Sequence, residues 1–320
     1  VLFAYIFSYV LFSFLSVIYL FKDFFNQGEL EFNSAKDVPS TKQIYLYSRP
    51  LFLSGIANWP MASIPLVLGL LGNFEMSTYF AFLIAIVSII QVPASAIEPV
   101  IFAKWTPYFK KKSFKNISND YKKIVPWIVI FSSIPFSVIF LSPTESISLL
   151  YGENFSHLDK FLLLLSLLAF CSAFFGPIES IFKASGNTNN IFISRLIEAI
   201  SLLLIFPLYN YAGFLGVILA YIISSLLGIT YLGVLAKMKF QLSPISTLFL
   251  KSLFSIIFSM LISFLLNKIL NLTGILGLLF LEIVFFLSLM VNLVCLKIIH
   301  TDDFFNVLKN PLNFISNIIK

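Results

Sequence analysis

Three stretches of the chain carry small, polar and charged residues, mostly at spacings of three or four, within long apolar runs. These polar stripes are Ser88, Gln91, Ser95 and Glu98; Ser172, Gly176, Glu179 and Lys183; and Ser194, Arg195, Glu198 and Ser201. At about 100° per residue, each stripe lies on one side of a helix. Carboxylate, ammonium and guanidinium groups arranged in this way can hold ions or polar solutes, and we expect the three stripes to face one shared cavity.

The same charges could instead pair with one another. Glu179 and Lys183 are four residues apart, and Arg195 and Glu198 are three apart, which are both contact spacings on a helix. Lys183 and Arg195 also lie within two turns of a helix end, where a long side chain can reach the interface. Glu98 has no charged neighbour within one turn, so pairing along its own helix does not explain it.

The composition identifies the elements that must position these groups. Of the 320 residues, 59% are hydrophobic and 11% are charged, against about 45–50% and about 25% in soluble domains. This excess excludes a soluble enzyme, a nucleic-acid binder and a disordered chain. Strand alternation is not seen, so the sequence predicts an all-α membrane protein. Two cysteines and two distant histidines give no metal site and no disulfide framework, and no cofactor is indicated.

Apolar runs of about 18 or more residues predict nine transmembrane helices. They span approximately residues 1–21, 44–71, 76–103, 124–141, 161–182, 191–209, 212–235, 247–267 and 272–296. The longer connections are residues 22–43, 104–123 and 143–160. The chain begins at Val1, inside an apolar run, which favours a piece of a longer protein; a complete protein with an edited first residue is the alternative.

Lysines in the connections predict the orientation of these helices. Sixteen lie on one side of the predicted membrane, and only Lys160 and Lys268 lie on the other. Because positive charge concentrates on the cytoplasmic side, the rich side is expected to be cytoplasmic and the membrane to be the cytoplasmic membrane. The cluster from Lys110 to Lys123 is interpreted as a topology determinant, with binding of anionic lipid head groups as the alternative.

Two of the predicted spans carry residue patterns that predict how the helix bends or packs. The second contains Pro50, Asn58, Pro60 and Pro65. Each proline removes a backbone hydrogen bond, so this span is expected to be broken or able to bend, with an ordinary kink as the alternative. The seventh repeats small residues every four positions, which predicts close helix packing rather than a site: Ala212, Gly216, Ala220, Ser224 and Gly228.

Four segments carry a resemblance to a known family. Residues 151–155 (YGENF) form an outward Gly-acidic-aromatic segment, and residues 182–188 (FKASGNT) form a small-residue turn. Residues 207–216 (PLYNYAGFLG) form a Pro/aromatic/Gly hairpin, and residues 68–74 (LGLLGNF) lead into 79–81 (YFA). In order and spacing, the sequence resembles the Wzx-type polysaccharide and lipid-linked oligosaccharide flippases of the multidrug/oligosaccharidyl-lipid/polysaccharide exporter superfamily.

The resemblance implies a domain organisation. Members of this family have two six-helix lobes, and nine spans would be the sixth to fourteenth of a fourteen-helix member. The implied parts are residues 1–21 as the last helix of a truncated first lobe, 22–43 as a cytoplasmic inter-lobe linker, 44–235 as a six-helix second lobe, 236–296 as two additional transmembrane helices, and 297–320 as a cytoplasmic tail.

The resemblance also implies a function. A member of the family would move a polyprenyl-phosphate-linked oligosaccharide across the membrane by alternating access, for cell-surface polysaccharides such as O-antigen. Substrate binding is then expected at Arg195, Arg49, Lys183 and Asn58, because cations favour an anionic phosphate. Coupling to an ion or proton is expected at Glu98, Glu198, Gln91 and Glu179, because a carboxyl in a partly dry cavity binds a proton more readily than in water.

Other functions remain open at this point. A lipid II exporter or a multidrug exporter of the same superfamily would have the same architecture, although Asn58 stands where drug exporters often place a carboxylate. A membrane glycan polymerase or acyltransferase is the alternative of a different class, but such enzymes need a catalytic cluster, usually on a sizeable outer loop. We therefore expect no enzyme activity. The expected partners are membrane lipids and, in the cell, glycan polymerase or assembly proteins, and no nucleic acid.

Overall fold

A computed structural model of the chain describes residues 40–242, 247–270, 274–296 and 298. The predicted first span (1–21), the predicted linker up to residue 39 and the predicted tail (297–320) except Ile298 lie outside the described residues. The chain divides into two compact units, residues 1–46 and 47–320.

The described part of the first unit is the start of one helix. Ser40 precedes the helix, and its Oγ accepts a hydrogen bond from the backbone N–H of Gln43 at 3.3 Å. The Gln43 side-chain Oε1 accepts one from the Ser40 N–H at 2.9 Å. This reciprocal capping box satisfies two amide groups that a helix start leaves unpaired. The helix therefore begins three residues before the predicted second span.

The described residues form twelve α-helices and contain no strand. The helices are α1 (Thr41–Ala62), α2 (Ile64–Leu70), α3 (Phe74–Ser88), α4 (Val92–Lys110), α5 (Phe114–Leu141), α6 (Pro143–Tyr151), α7 (Asp159–Ala184), α8 (Thr188–Ser201), α9 (Ile205–Ala212), α10 (Phe214–Phe240), α11 (Thr247–Leu270) and α12 (Gly274–Cys295). Short 3-10 turns at Ile89–Gln91 and Leu202–Leu204 join α3 to α4 and α8 to α9, and a third, Glu153–Leu158, precedes α7.

Seven helical segments in the described part are long and apolar enough to cross a membrane, or eight if α1 and α2 count as one bent span. The other spans are α3–α4, α5, the 3-10 turn with α7, α8–α9, α10, α11 and most of α12. For the residues that the structure describes, the predicted all-α, multi-pass architecture is therefore confirmed. The count of nine stays a prediction, since the first predicted span is not described, and so does the six-helix lobe.

The prolines of the second predicted span coincide with a break. The axes of α1 and α2 differ by 45°, and Ser63 lies between them. Pro65 has no N–H to bond the carbonyl of Met61, so the helix cannot continue unbroken through this turn. The hydroxyl of Ser63, at the break, donates to the Trp59 carbonyl at 2.7 Å, which also accepts the Ser63 backbone N–H at 2.9 Å.

Helices α5 and α7 form the centre of the second unit. Helix α7 packs against α3, α4, α5 and α10, whereas α5 packs against α4, α7, α11 and α12. The apolar stretch of α5 is 67% buried, and its prolines and small serines allow neighbours to approach. The small-residue repeat of α10 also packs as predicted: a side chain at Gly216 would overlap the backbone of Leu208 on α9.

Two predicted connections are largely helical. Residues 104–123 are divided between the end of α4 and the start of α5, and residues 143–160 form α6 and a 3-10 turn before α7 begins. Apolar runs report only the part of a helix that lipid surrounds, so polar first and last turns are missed. Lys104 on α4 and Asp120 on α5 form an ion pair of 3.1 Å within one such polar extension.

Candidate functional site

A cavity of about 650 Å³ opens between seven helices of the second unit and the turn before α4. Residues from α1, α2, α3, α4, α7, α8 and α10 line it, and none comes from α5, α11 or α12. Members of all three polar stripes line this one cavity: Gln91, Ser95 and Glu98; Ser172, Gly176 and Glu179; and Ser194, Arg195 and Glu198. The helical period of the stripes therefore predicted the face that each helix turns toward the cavity.

The charged residues of the site form a continuous series of ion pairs, which we call the charge chain: Glu98, Lys183, Glu179, Arg195 and Glu198. Lys183 Nζ donates to Glu98 Oε1 at 2.6 Å and lies 3.2 Å from Glu179 Oε1. Arg195 Nη2 donates to Glu179 Oε2 at 2.8 Å, and its Nη1 donates to Glu198 Oε2 at 2.9 Å. The charge chain therefore links α4, α7 and α8.

Both predicted pairings along a single helix are present, but the tertiary structure extends them. Glu179 contacts Lys183 on its own helix and Arg195 on the next. The carboxyl of Glu98, which has no charged neighbour on α4, receives Lys183 from α7. Three carboxylates thus share two cations, and the charge chain carries a formal excess of one negative charge.

A tight turn holds the charge chain in register. Helices α7 and α8 are joined through Gly186, whose φ is +74°. This left-handed conformation favours glycine, because a Cβ would be strained there. The Asn187 side chain donates to Ser185 Oγ at 3.0 Å across the turn. Tyr47 on α1 ties the same turn to the first helix, since its hydroxyl donates to the Lys183 carbonyl at 3.3 Å and its carbonyl accepts from Thr188 Oγ1 at 3.1 Å.

Gly228 on α10 is a site residue that the sequence assigned only to packing. A side chain at this position would overlap the carboxyl group of Glu198. The carbonyl of Gly228 also accepts a hydrogen bond from the Ser194 hydroxyl at 3.0 Å. The Glu198 side chain is only 5% exposed. Because Gly228 has no Cβ, it leaves the space that this buried carboxylate occupies. The four-residue repeat contained this glycine, but no signal in the sequence connected it to Glu198.

The remaining predicted residues differ in their relation to the cavity. Asn58 on α1 lines the cavity, as does Gln91, which is exposed. Lys183 does not line the cavity itself but binds two carboxylates that do. Arg49 is exposed on α1 and lies outside the set of lining residues, so the structure does not bring it together with the charge chain.

Tyr221 on α10 and Phe80 on α3 also line the cavity, and sequence reasoning did not identify them. Their rings contact each other edge to face, with centroids 5.5 Å apart. Within the described part of the chain, no group of three metal-binding side chains could hold a metal ion.

No protein-family model, curated protein or solved structure matches the chain. The resemblance to the Wzx-type flippases therefore depends on the four sequence segments, and membership of that family stays a prediction.

Proposed function

We propose that the protein is a membrane transporter of the flippase type, which moves a polyprenyl-phosphate-linked oligosaccharide across the cytoplasmic membrane. One observation carries the proposal: a cavity with four charged side chains in its lining opens among long apolar helices. Charged groups inside membrane-spanning helices are costly, and they commonly mark the path of a substrate or an ion. The substrate class comes from the sequence resemblance.

The size of the cavity limits what it would hold. Its volume is about 650 Å³. Small-molecule sites in proteins typically have volumes of roughly 300–1,000 Å³. The cavity therefore suits a phosphate with the adjoining sugar better than an entire lipid-linked glycan. The polyprenyl chain would stay in the bilayer, beside the transporter, while the head group enters between the helices.

Arg195 and Lys183 would receive the phosphate in this proposal. Both are already bound by carboxylates, so a phosphate must compete with Glu179 and Glu98 or Glu198 for them. Protonation of one carboxylate would release a cation for the substrate. The charge chain would in this way couple substrate binding to proton or ion binding.

The proposal is tested first in the cells that make this protein. Deletion of its gene should abolish the surface glycan and cause the lipid-linked precursor to accumulate on the cytoplasmic leaflet, and the wild-type gene should restore both. Unchanged surface glycan with unchanged precursor would contradict the proposal.

Substitutions at Arg195 separate substrate binding from architecture. Arg195→Ala removes a cation from the charge chain, whereas Arg195→Ala with Glu198→Ala restores the original formal excess of one negative charge. If Arg195 binds the phosphate, both variants should lose most export at normal protein level, and Arg195→Lys should retain part of it, because lysine keeps the charge without the planar fork. Recovery of export by the double variant would show that Arg195 only neutralises its partners.

A multidrug exporter is the second candidate, and the excess carboxylate favours it. A cavity in which three carboxylates share two cations suits a cationic solute. Expression of the protein in a drug-sensitive host distinguishes the two. Increased resistance to cationic drugs, lost on Glu98→Gln, would support the exporter, whereas a change confined to surface glycan would support the flippase.

A further inference from the structure

Glu282 is a carboxyl group inside the predicted membrane region that the cavity does not use. It lies on α12, between the helix ends at Gly274 and Cys295. At roughly 1.5 Å per residue, these ends are about 12 Å and about 20 Å away along the helix axis. Its Oε2 lies 3.0 Å from the hydroxyl of Ser137 on α5. Its Oε1 is buried and has no hydrogen-bond partner.

The positions of the hydrogen atoms in this contact determine whether the Glu282 carboxyl group is protonated. The Ser137 hydroxyl lies 2.7 Å from the Ile134 carbonyl, and a carbonyl is an acceptor only. Serine has a single O–H, so when that O–H donates to Ile134 the proton between Ser137 and Glu282 must come from the glutamate. A protonated carboxyl supplies it and leaves Oε1 as an ordinary carbonyl oxygen.

The alternative, an ionised carboxylate, is costly at this position. It would have Ser137 as its single donor and a second oxygen that is buried without a partner. A carboxylate at mid-bilayer costs roughly 2.5–3.5 kcal/mol even on insertion scales. Burial of an ion without a partner generally favours the neutral form instead.

No charged group compensates Glu282 within the described residues. Helix α12 packs against α11, α5 and α6. The charged and titratable side chains of these three helices are Lys251 and Lys268; Lys115, Asp120, Tyr121, Lys122 and Lys123; and Glu145 and Tyr151. None of them forms an ion pair or hydrogen bond with Glu282 in the described part of the chain. By contrast, every carboxylate of the charge chain contacts at least one cation.

We infer that Glu282 is a proton-binding site outside the cavity: a neutral carboxylic acid that donates its O–H to Ser137, while Ser137 donates to the Ile134 carbonyl. This relay joins α12 to α5 without placing a charge in the apolar region. The inference depends on the contacts of Glu282 alone and is independent of the proposed transport function.

A neutral acid in apolar surroundings is the form that reacts with membrane-soluble carbodiimides. The acid proton moves to one carbodiimide nitrogen as the carboxylate oxygen bonds to the central carbon. The O-acylisourea that results rearranges to a stable N-acylurea, and no atom leaves. Glu282 is partly exposed and lies next to the exposed Ile283, and we expect a reagent dissolved in lipid to reach it there.

The first test is labelling of the full chain in membranes with dicyclohexylcarbodiimide, followed by mass spectrometry of its peptides. Glu282 should carry at least tenfold more label than Glu98 or Glu179, which are held as carboxylates by cations. Labelling of Glu282 at or below the level of these two residues would overturn the inference.

The second test is infrared spectroscopy of the reconstituted protein, because only a protonated carboxyl shows the carboxylic-acid C=O stretch. Glu282→Gln should remove one such band, and Ser137→Ala should shift it by removing the hydrogen bond. Ser133→Ala is the matched control: Ser133 is buried one turn earlier on α5 and donates to the Ile130 carbonyl at 2.7 Å. A wild-type spectrum without that band, or an equal shift in Ser133→Ala, would contradict the proton on Glu282.

Discussion

Lys183 on α7 donates to Glu98 on α4 over 2.6 Å, although the two residues are 85 positions apart in the chain. The same ammonium group lies 3.2 Å from Glu179. The position of Lys183 near a helix end suggested that its side chain reaches toward the interface. In the structure, this side chain turns inward instead. The contact makes Glu98 part of a network that also contains Arg195 and Glu198.

Removal of Lys183 should be more harmful than removal of Glu98. Lys183→Met leaves Glu98 without a cation and Glu179 with Arg195 alone, whereas Glu98→Gln leaves Lys183 paired with Glu179. A double-mutant cycle on thermal unfolding in detergent should give a coupling of about 0.5–3 kcal/mol, as for other residues in direct contact. Additive effects of the two substitutions would show that the pair contributes nothing.

The role of Glu98 in ion coupling is tested by measuring how transport depends on an ion gradient. The ion pair of Lys104 and Asp120 provides the control, because it lies outside the cavity lining. Lys104→Met should reduce stability without altering the dependence of transport on an ion gradient. Glu98→Gln should abolish this dependence if Glu98 binds the coupling ion. Retained gradient dependence in Glu98→Gln would exclude that role.

Gly228→Ala should disturb the site through Glu198. The added methyl group overlaps the Glu198 carboxyl, which is buried and held by Arg195. Overpacking of this kind typically costs about 1–3 kcal/mol, and we expect reduced thermal stability together with reduced transport.

Gly233→Ala is the matched control on the same helix. A Cβ at Gly233 would lie 3.6 Å from the Phe175 ring, an ordinary van der Waals contact. This variant should behave like the wild type in both assays. Equal losses in the two variants would mean that α10 tolerates no added methyl group, and that the effect at Gly228 is not specific to Glu198.

Pro65→Ala should reduce the 45° bend between α1 and α2. Alanine restores an N–H that can bond the Met61 carbonyl, and it removes the ring that clashes with that carbonyl. Spin labels on Phe52 and Leu70, which are 70% and 80% exposed, would report a longer distance between the two segments. An unchanged distance would assign the bend to tertiary packing instead of to proline.

The orientation of the chain is tested by thiol accessibility. Asn154 and Asn116 are exposed and lie at opposite ends of the helices, before α7 and near the start of α5. A cysteine at Asn154 should react with an impermeant thiol reagent added to intact cells, and one at Asn116 should react only after the membrane is opened. The natural Cys171 and Cys295 are replaced by serine in both variants, and the reverse pattern would invert the predicted topology.

Much of the fold could be predicted because its elements follow from local rules. The need of lipid for long apolar helices marks the spans, and the helical period fixes which side chains share a face. These two rules were sufficient to place Gln91, Glu179 and Arg195 on faces that line one cavity. They were not sufficient for helix ends, since the polar turns of α4 and α5 extend beyond the apolar runs.

The tertiary structure decided which charges meet. The ion pairs within α7 and within α8 join residues four and three positions apart, so the sequence alone predicted them. The contacts of Lys183 with Glu98, Gly228 with Glu198 and Ser137 with Glu282 join residues of different helices. Sequence periodicity fixes the face of a helix but not its neighbour, because the neighbour depends on how all helices pack together, and that arrangement minimises a free energy summed over the whole molecule.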